Sequence, residues 1–468
     1  MSHRDIGDDA LAFAPLPVLG RMIRAGETTP TRLVEFFVQR LETVGRALNA
    51  VVTVTRDLAL AEARQAEDEL AAGHDRGPLQ GIPYGAKDLL ALSGHPTTWG
   101  AAPFRDQTFD RDAAVIGRLR DAGAVLVAKL SMVELAGGFG YEQPDASITG
   151  PGRCAWDPGS WAGGSSSGSG SAVGAGLVPF AIGTETWGSI HCPSAFNGIT
   201  GLRPTYGRVS RRGAMALSWT MDKIGPMTRT VADAADVLAA IVGPDPEDPP
   251  TMHGRALDLR PEARRDGFRF GVYRRALASC QPEVAAAFEA SLDVLRGIGD
   301  LEEIEIPDFP WEEAAATIIV AEGASAFESF LEEGACAGLT APEDRVGLYH
   351  GLTLPAVDYL RAFRVRRIAN RALAAAMEPY DAILAPTFPH VAPPVDGAFS
   401  TYYDRAERKT LCAAGNLAGL PSITVPNGFG DRGLPTALEF LGRAYDEARL
   451  TTLADLFQQR TDWHTRRL

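Results

Sequence analysis

Between Ala162 and Thr200 the chain is a dense tract of glycine and serine, interrupted by Val173, Leu177, Val178, Phe180 and Ile182. A flexible linker would not carry apolar residues at such intervals, so the tract reads as part of a folded unit. The segments around it alternate between the helical and the strand period. Thr28 to Leu41 places Leu33, Phe36, Phe37 and Leu41 on one helical face after the start signal Thr28-Thr29-Pro30, and Leu58 to Leu70 continues as an Ala/Glu-rich helix. Gly81 to Asp88 then breaks the pattern, with glycine and proline crowded around Lys87. Val115 to Leu119 predicts a helix that Gly123 stops, and Ala124 to Lys129 a buried strand.

Downstream, Val231 to Val242 predicts a helix and Gly243 to Pro250 a surface turn. Phe268 to Val272 and Leu301 to Ile306 read as strands bracketing the helix Glu283 to Leu295, a local βαβ unit. Residues 311 to 380 are Ala-rich and helical, Ala382 to Ala385 is strand-like, and Ser422 to Val425 and Thr436 to Phe440 are the last strands before a helix from Asp446 to Gln459. No repeat of fixed period is present. This alternation predicts a layered α/β core, for which 45% hydrophobic content over 468 residues supplies ample material.

Composition excludes several partners. A net charge of -14 repels phosphate backbones and anionic lipid over most of the surface, which argues against nucleic acid and membrane; the runs Arg208 to Arg212 and Arg361 to Arg371 read as solvated faces. Five scattered cysteines without a C-x-x-C pair indicate neither a disulfide framework nor a zinc site. The start MSHRDIGDDALAFAPL carries acids where a signal peptide needs bases, and Ala172 to Gly183 is far shorter than the about 20 apolar residues of a membrane span, so a cytoplasmic protein is expected.

Gly164 to Gly168 spells G-x-S-x-G, the pattern of a nucleophile elbow, but Trp156 to Trp161 before it is no hydrophobic strand. A dinucleotide fingerprint fails at Val173, where its third glycine would fall, and no Walker lysine follows. A second small-residue loop, Gly183-Thr184-Glu185-Thr186-Trp187-Gly188-Ser189-Ile190-His191-Cys192-Pro193, supplies another serine. A serine hydroxyl needs a base to become a nucleophile, and none of the eight histidines sits in a motif that suggests one. A lysine can serve where burial lowers its pKa, and Lys87 is wrapped in Ile82, Pro83, Tyr84, Leu89 and Leu90. Taken singly, each feature has a plainer reading: a lone lysine is usually on the surface, and serine-glycine clusters are usually turns. Ser166, Ser167 and Ser169 fit supporting hydrogen bonders.

Together, the two loops and Lys87 resemble the amidase signature family. The resemblance runs in family order through Gly81 to Asp88, Val127 to Glu134, Gly163 to Ser189, Gly198 to Thr205, Ile224 to Asp233 and Asn416 to Leu441, including the spacing of Ser165 and Ser189. It implies a single α/β domain over 1–468 with a central mixed sheet covered by helices on both faces. Within it would lie a helical N-terminal segment to about 75, a signature core to about 243, a variable helical region at 311–380 and a C-terminal return to the core. By resemblance Ser189 is the nucleophile, Ser165 follows a cis peptide and relays the proton, and Lys87 is the base. The backbone N–H groups of Thr186, Trp187, Gly188 and Ser189 would form the oxyanion hole.

The implied reaction is hydrolysis of non-peptide C–N bonds in amides, extending to carbamates, as in urethane-cleaving members, and to small esters. No cofactor or metal is expected, the partner is a small molecule, and a homodimer is compatible. Three departures leave the substrate open: Trp187 stands where the family has glycine, Ser167 where it has glycine, and His191 where it has arginine. Trp187, His191 and Met132 are the candidate pocket residues, with region 311–380 and the loop after Thr387 as further specificity elements. Two other readings stay open: an amidotransferase subunit that releases ammonia from glutamine inside a complex, and a scaffold that has lost catalysis.

Overall fold

A computed structural model of the chain describes residues 8–253, 267–402 and 410–467; the first seven residues of the acidic start read above lie outside them. One sheet of 11 strands runs through the molecule. In chain order the strands are β1 (Val51–Val54), β2 (Pro83–Lys87), β3 (Val125–Leu130), β4 (Phe180–Glu185), β5 (Thr200–Arg203), β6 (Lys223–Thr228), β7 (Phe268–Val272), β8 (Gly299–Glu303), β9 (Ala382–Pro386), β10 (Ser422–Phe429) and β11 (Pro435–Leu441). Across the sheet they lie in the order β1-β3-β2-β4-β6-β5-β10-β11-β9-β7-β8. The sheet is mixed: β2 is parallel to β3 and β4, and β7 to β8 and β9, while β4/β6, β5/β10 and β10/β11 are antiparallel. The α/β class and the mixed sheet are as expected from the sequence.

Most predicted elements recur with their ends moved by a residue or two. The helix after Thr29 spans Pro30–Arg40, with the Thr29 hydroxyl accepting from the Arg32 N–H at 3.2 Å as its cap. The βαβ unit forms, with the helix Pro282–Leu295 between parallel β7 and β8. Strand β8, however, ends at Glu303 rather than Ile306, because this edge strand pairs on one side only and buries little, leaving no alternation to read.

Two segments differ from expectation for a common reason. Gly81 to Asp88, read as a break, contains the fully buried β2, whose ladders to β3 and β4 on both sides outweigh local turn preference. Pro83 is its first residue, where a missing N–H is tolerated. The tract Ser167–Gly174 is a buried helix built from weak helix formers. Its glycines permit close approach: a Cβ on Gly168 would sit 2.4 Å from the Ala50 carbonyl oxygen and 2.5 Å from the Ser131 nitrogen. Packing rather than propensity holds this helix against the sheet.

Region 311–380 is mainly two helices, Trp311–Ala326 and Ala356–Met377, packed on each other. Among the described residues no helix is long and apolar enough to cross a membrane, and no three His, Cys, Asp or Glu side chains are grouped to hold a metal ion.

Candidate active site

Strand β2 delivers Lys87 from its last position into the middle of the sheet, where the side chain is wholly buried. Its Nζ is hydrogen-bonded to Ser165 Oγ at 2.7 Å and to Thr184 Oγ1 at 2.9 Å. Burial lowers the amine from an ordinary 10.5 to about 7, against a smaller opposing pull from Asp222 and Glu185. The neighbouring buried lysine makes the contrast. Lys129, on β3, has Asp88 at 2.8 Å as a carboxylate partner, whereas Lys87 forms no ion pair among the described residues. Of the two, Lys87 is the one that can stand as a neutral amine beside a hydroxyl.

The glycine-serine tract brings the two serine loops to this lysine. The Gly164–Ser165 peptide is cis, as the resemblance implies. The Ser165 carbonyl accepts from the Val133 N–H at 3.0 Å, and the next residue, Ser166, donates its N–H to the Ser189 carbonyl at 3.3 Å. Gly163, at φ 81°, approaches the second loop so closely that a Cβ would lie 2.9 Å from the Pro193 backbone. Lys87, Ser165 and the Ser189 loop therefore converge, each serine just ahead of a short helix, Ser167–Gly174 and His191–Asn197.

Residues Thr186 to Ser189 form a loop whose Trp187, Gly188 and Ser189 N–H groups donate to no protein acceptor among the described residues. Glu185, fully buried at the end of β4, anchors the loop from behind. Its carboxylate accepts from the Ile190 and His191 N–H groups at 2.8 and 3.0 Å, from His191 Nδ1 at 2.9 Å, from Arg203 Nη1 at 2.7 Å and from Asn416 Nδ2 at 2.8 Å. Burial alone would raise its pKa, yet His191 and Arg203 hold the carboxyl well below the usual range. Removing one member of such a buried pair strands the other charge. Arg203→Met is expected to cost about 3–5 kcal/mol in urea unfolding; a loss under about 1 kcal/mol would show that the pair holds nothing.

Beside this loop lies a cavity of about 480 Å³, lined by Gly188 and Ser189 together with Tyr141, Trp161, Trp187, Phe196, Ile319 and Phe388. Its size suits a small organic molecule. Among the described residues of its lining there is one carboxylate, Glu312, and no lysine or arginine. Trp187 forms part of the wall, and Ile319, Val320 and Phe388 bring in the two further regions singled out above. The other two pocket candidates are corrected. Met132 is buried in the hydrophobic core, and His191 turns away from the cavity to lie between Glu185 and Ser422 Oγ, 3.0 Å from its Nε2.

Thr184, Glu185, Arg203, Asp222 and Asn416 were not anticipated. A charge at each end of an otherwise uncharged strand, Glu185 on β4 and Arg203 on β5, was the available signal, but one sequence cannot say that two such ends meet.

The family model described as Amidase matches residues 32–451. A glutamyl-tRNA(Gln) amidotransferase subunit of Roseiflexus sp. (strain RS-1) is 39% identical over 472 residues, covering 94% of this chain and 95% of the relative. Among solved structures, native peptide amidase from Stenotrophomonas maltophilia superposes with a TM-score of 0.83 at 34% identity, covering 96% of this chain and 97% of that one. A glutamyl-tRNA(Gln) amidotransferase subunit from Thermotoga maritima superposes with a TM-score of 0.78 at 26% identity, covering 98% and 96%.

Proposed function

Because the chain belongs to the amidase family, we propose that it hydrolyses neutral, largely apolar amides through an acyl-enzyme on Ser189, with carbamates and small esters as further substrates. Neutral Lys87 takes the proton of Ser165, which takes that of Ser189 as its oxygen attacks the carbonyl carbon. The carbonyl oxygen becomes an oxyanion held by the loop N–H groups of residues 186–189, each such donor being typically worth about 3 kcal/mol in the transition state. Collapse breaks the C–N bond, and the proton returns along the relay to the departing amine. Water then attacks the ester at Ser189 by the same route, releasing the acid. Carbamates and esters pass through the same kind of tetrahedral intermediate. The observation that carries this reading is a buried lysine without a carboxylate partner among the described residues, 2.7 Å from a serine whose loop is bonded to the Ser189 loop.

A second reading, release of ammonia from glutamine within a complex, is favoured by the likeness to amidotransferase subunits. Glutamine carries a carboxylate that needs a cation, and the described lining of the cavity offers none. The test sets anilides, aryl carbamates and nitrophenyl esters against free glutamine, using the isolated chain. Turnover of aryl substrates with kcat/KM at least tenfold above that of glutamine is expected. A preference for glutamine, or co-purification with a second subunit that confers it, would move the assignment to the second reading.

A further inference from the structure

We propose that Asp222 is a positioning residue for this hydrolysis: through Thr186 it holds the backbone donors ahead of Ser189 in register, and its charge acts on Lys87. The proposal rests on the roles given above to Lys87 and the 186–189 loop. Asp222 is half-buried between the small-residue loop and the segment that precedes β6. Its Oδ1 accepts from Thr186 Oγ1 at 2.5 Å, and its Oδ2 from the Leu217 and Ser218 N–H groups, both at 2.9 Å. The two backbone bonds close a local turn. The bond to Thr186 spans 36 residues and is the one that reaches the catalytic loop.

Packing alone cannot fix this part of the loop, because space lies on both sides of it. Thr186, Leu217 and Ala136 line the catalytic cavity and also a second cavity of about 200 Å³, whose wall includes Thr184, Asp222 and Lys223. A wall between two voids lacks partner atoms on each face. The hydrogen bond to a half-buried carboxylate supplies the rigidity that contacts do not, and a donor displaced by about 1 Å can lose a hundredfold in rate.

The electrostatic part starts from placement: Asp222 and Thr184 line the same second cavity, and Thr184 Oγ1 is hydrogen-bonded to Lys87 Nζ at 2.9 Å. Asp222 and Glu185 are the carboxylates that favour the protonated form of Lys87. Burial pushes the Asp222 carboxyl up, while Thr186, the two backbone donors and Lys223 pull it the other way. Lys223 is itself buried and lowered to about 7 by that burial and by Arg203 and Arg366, with Glu185 and Asp222 opposing. Its Nζ is bonded to the Met221 carbonyl.

The test compares Thr186→Val, Thr186→Ser and Asp222→Asn, with Ser189→Ala alongside, by kcat, KM and the pH dependence of kcat/KM on one aryl amide. Thr186→Val is expected to lower kcat about tenfold or more with KM unmoved, and Thr186→Ser to recover most of it. Asp222→Asn is expected to lower kcat and to move the acid limb roughly one pH unit lower, because loss of a negative neighbour disfavours the ammonium form. If Thr186→Val keeps the parental kcat, or loses only KM, the positioning role is overturned even where Asp222→Asn fails to fold. A folded Asp222→Asn with an unmoved acid limb overturns the electrostatic part. In either case an inactive Ser189→Ala leaves the catalytic assignment standing, whereas an active one removes it.

Discussion

Ser189→Ala is expected to lower kcat by roughly four to six orders of magnitude, with the melting temperature within a few degrees of the parent's. The size of the loss follows from the pathway: without the Ser189 oxygen there is no acyl-enzyme, and only binding and the loop donors remain to accelerate attack by water. The mildness of the structural effect follows from position. Ser189 lies at the cavity wall, and its carbonyl, not its hydroxyl, takes the bond from Ser166. Ser165→Ala, by contrast, removes a partner of Lys87 and so perturbs both rate and burial. Mass spectrometry during turnover of an aryl ester gives the second readout: the parent accumulates an adduct of the acyl mass, and Ser189→Ala does not. Parental activity in Ser189→Ala would place the nucleophile elsewhere.

Lys87→Met is expected to lower kcat by roughly a thousandfold or more, which is the upper part of what a positioned general base contributes. It is also expected to abolish the rise of the rate through neutral pH. The stability change runs the other way. Folding lowers this amine from 10.5 to about 7, so between those values the unfolded chain binds more protons than the folded one, and the parent gains stability as pH rises through that window. Methionine removes the cost of burying an ionisable group at neutral pH and fills a similar volume. Set against that gain, the Ser165 and Thr184 hydroxyls each lose a partner. The net expectation is a melting temperature at pH 7 no lower than the parent's and a flatter dependence of stability on pH between about 7 and 10. A variant that melts well below the parent would mean that Lys87 is held charged by interactions the structure does not contain.

Much of this was legible in the sequence because it rests on local pattern. The apolar runs at β3, β7 and β9 and the amphipathic helix after Thr29 announce themselves by period, and the apolar flanks of Lys87 mark it as a lysine out of its usual place. What stayed hidden depends on neighbours distant in the chain. Strands β4 and β6 each carry a glycine and a charged end residue that blur the strand pattern, and they form because each has a ladder waiting for it. The helix Ser167–Gly174 would not form alone, and Gly168 is needed only because the Ala50 carbonyl is close by. The same reason explains His191, which looked like a pocket residue from its place two after Ser189. A helix starts at that residue, and its first turn directs the ring back to the carboxylate of Glu185. Met132 likewise follows a buried strand and stays in the core.

The most direct test of the account is the titration of Lys87 itself, followed by NMR of lysine-labelled enzyme with Lys87→Met to assign the signal. A midpoint near 7 is expected, coinciding with the acid limb of kcat/KM for a substrate without ionisable groups. A midpoint near 10.5, with the enzyme already fully active at pH 7, would mean that Lys87 is an ammonium during turnover and cannot be the base.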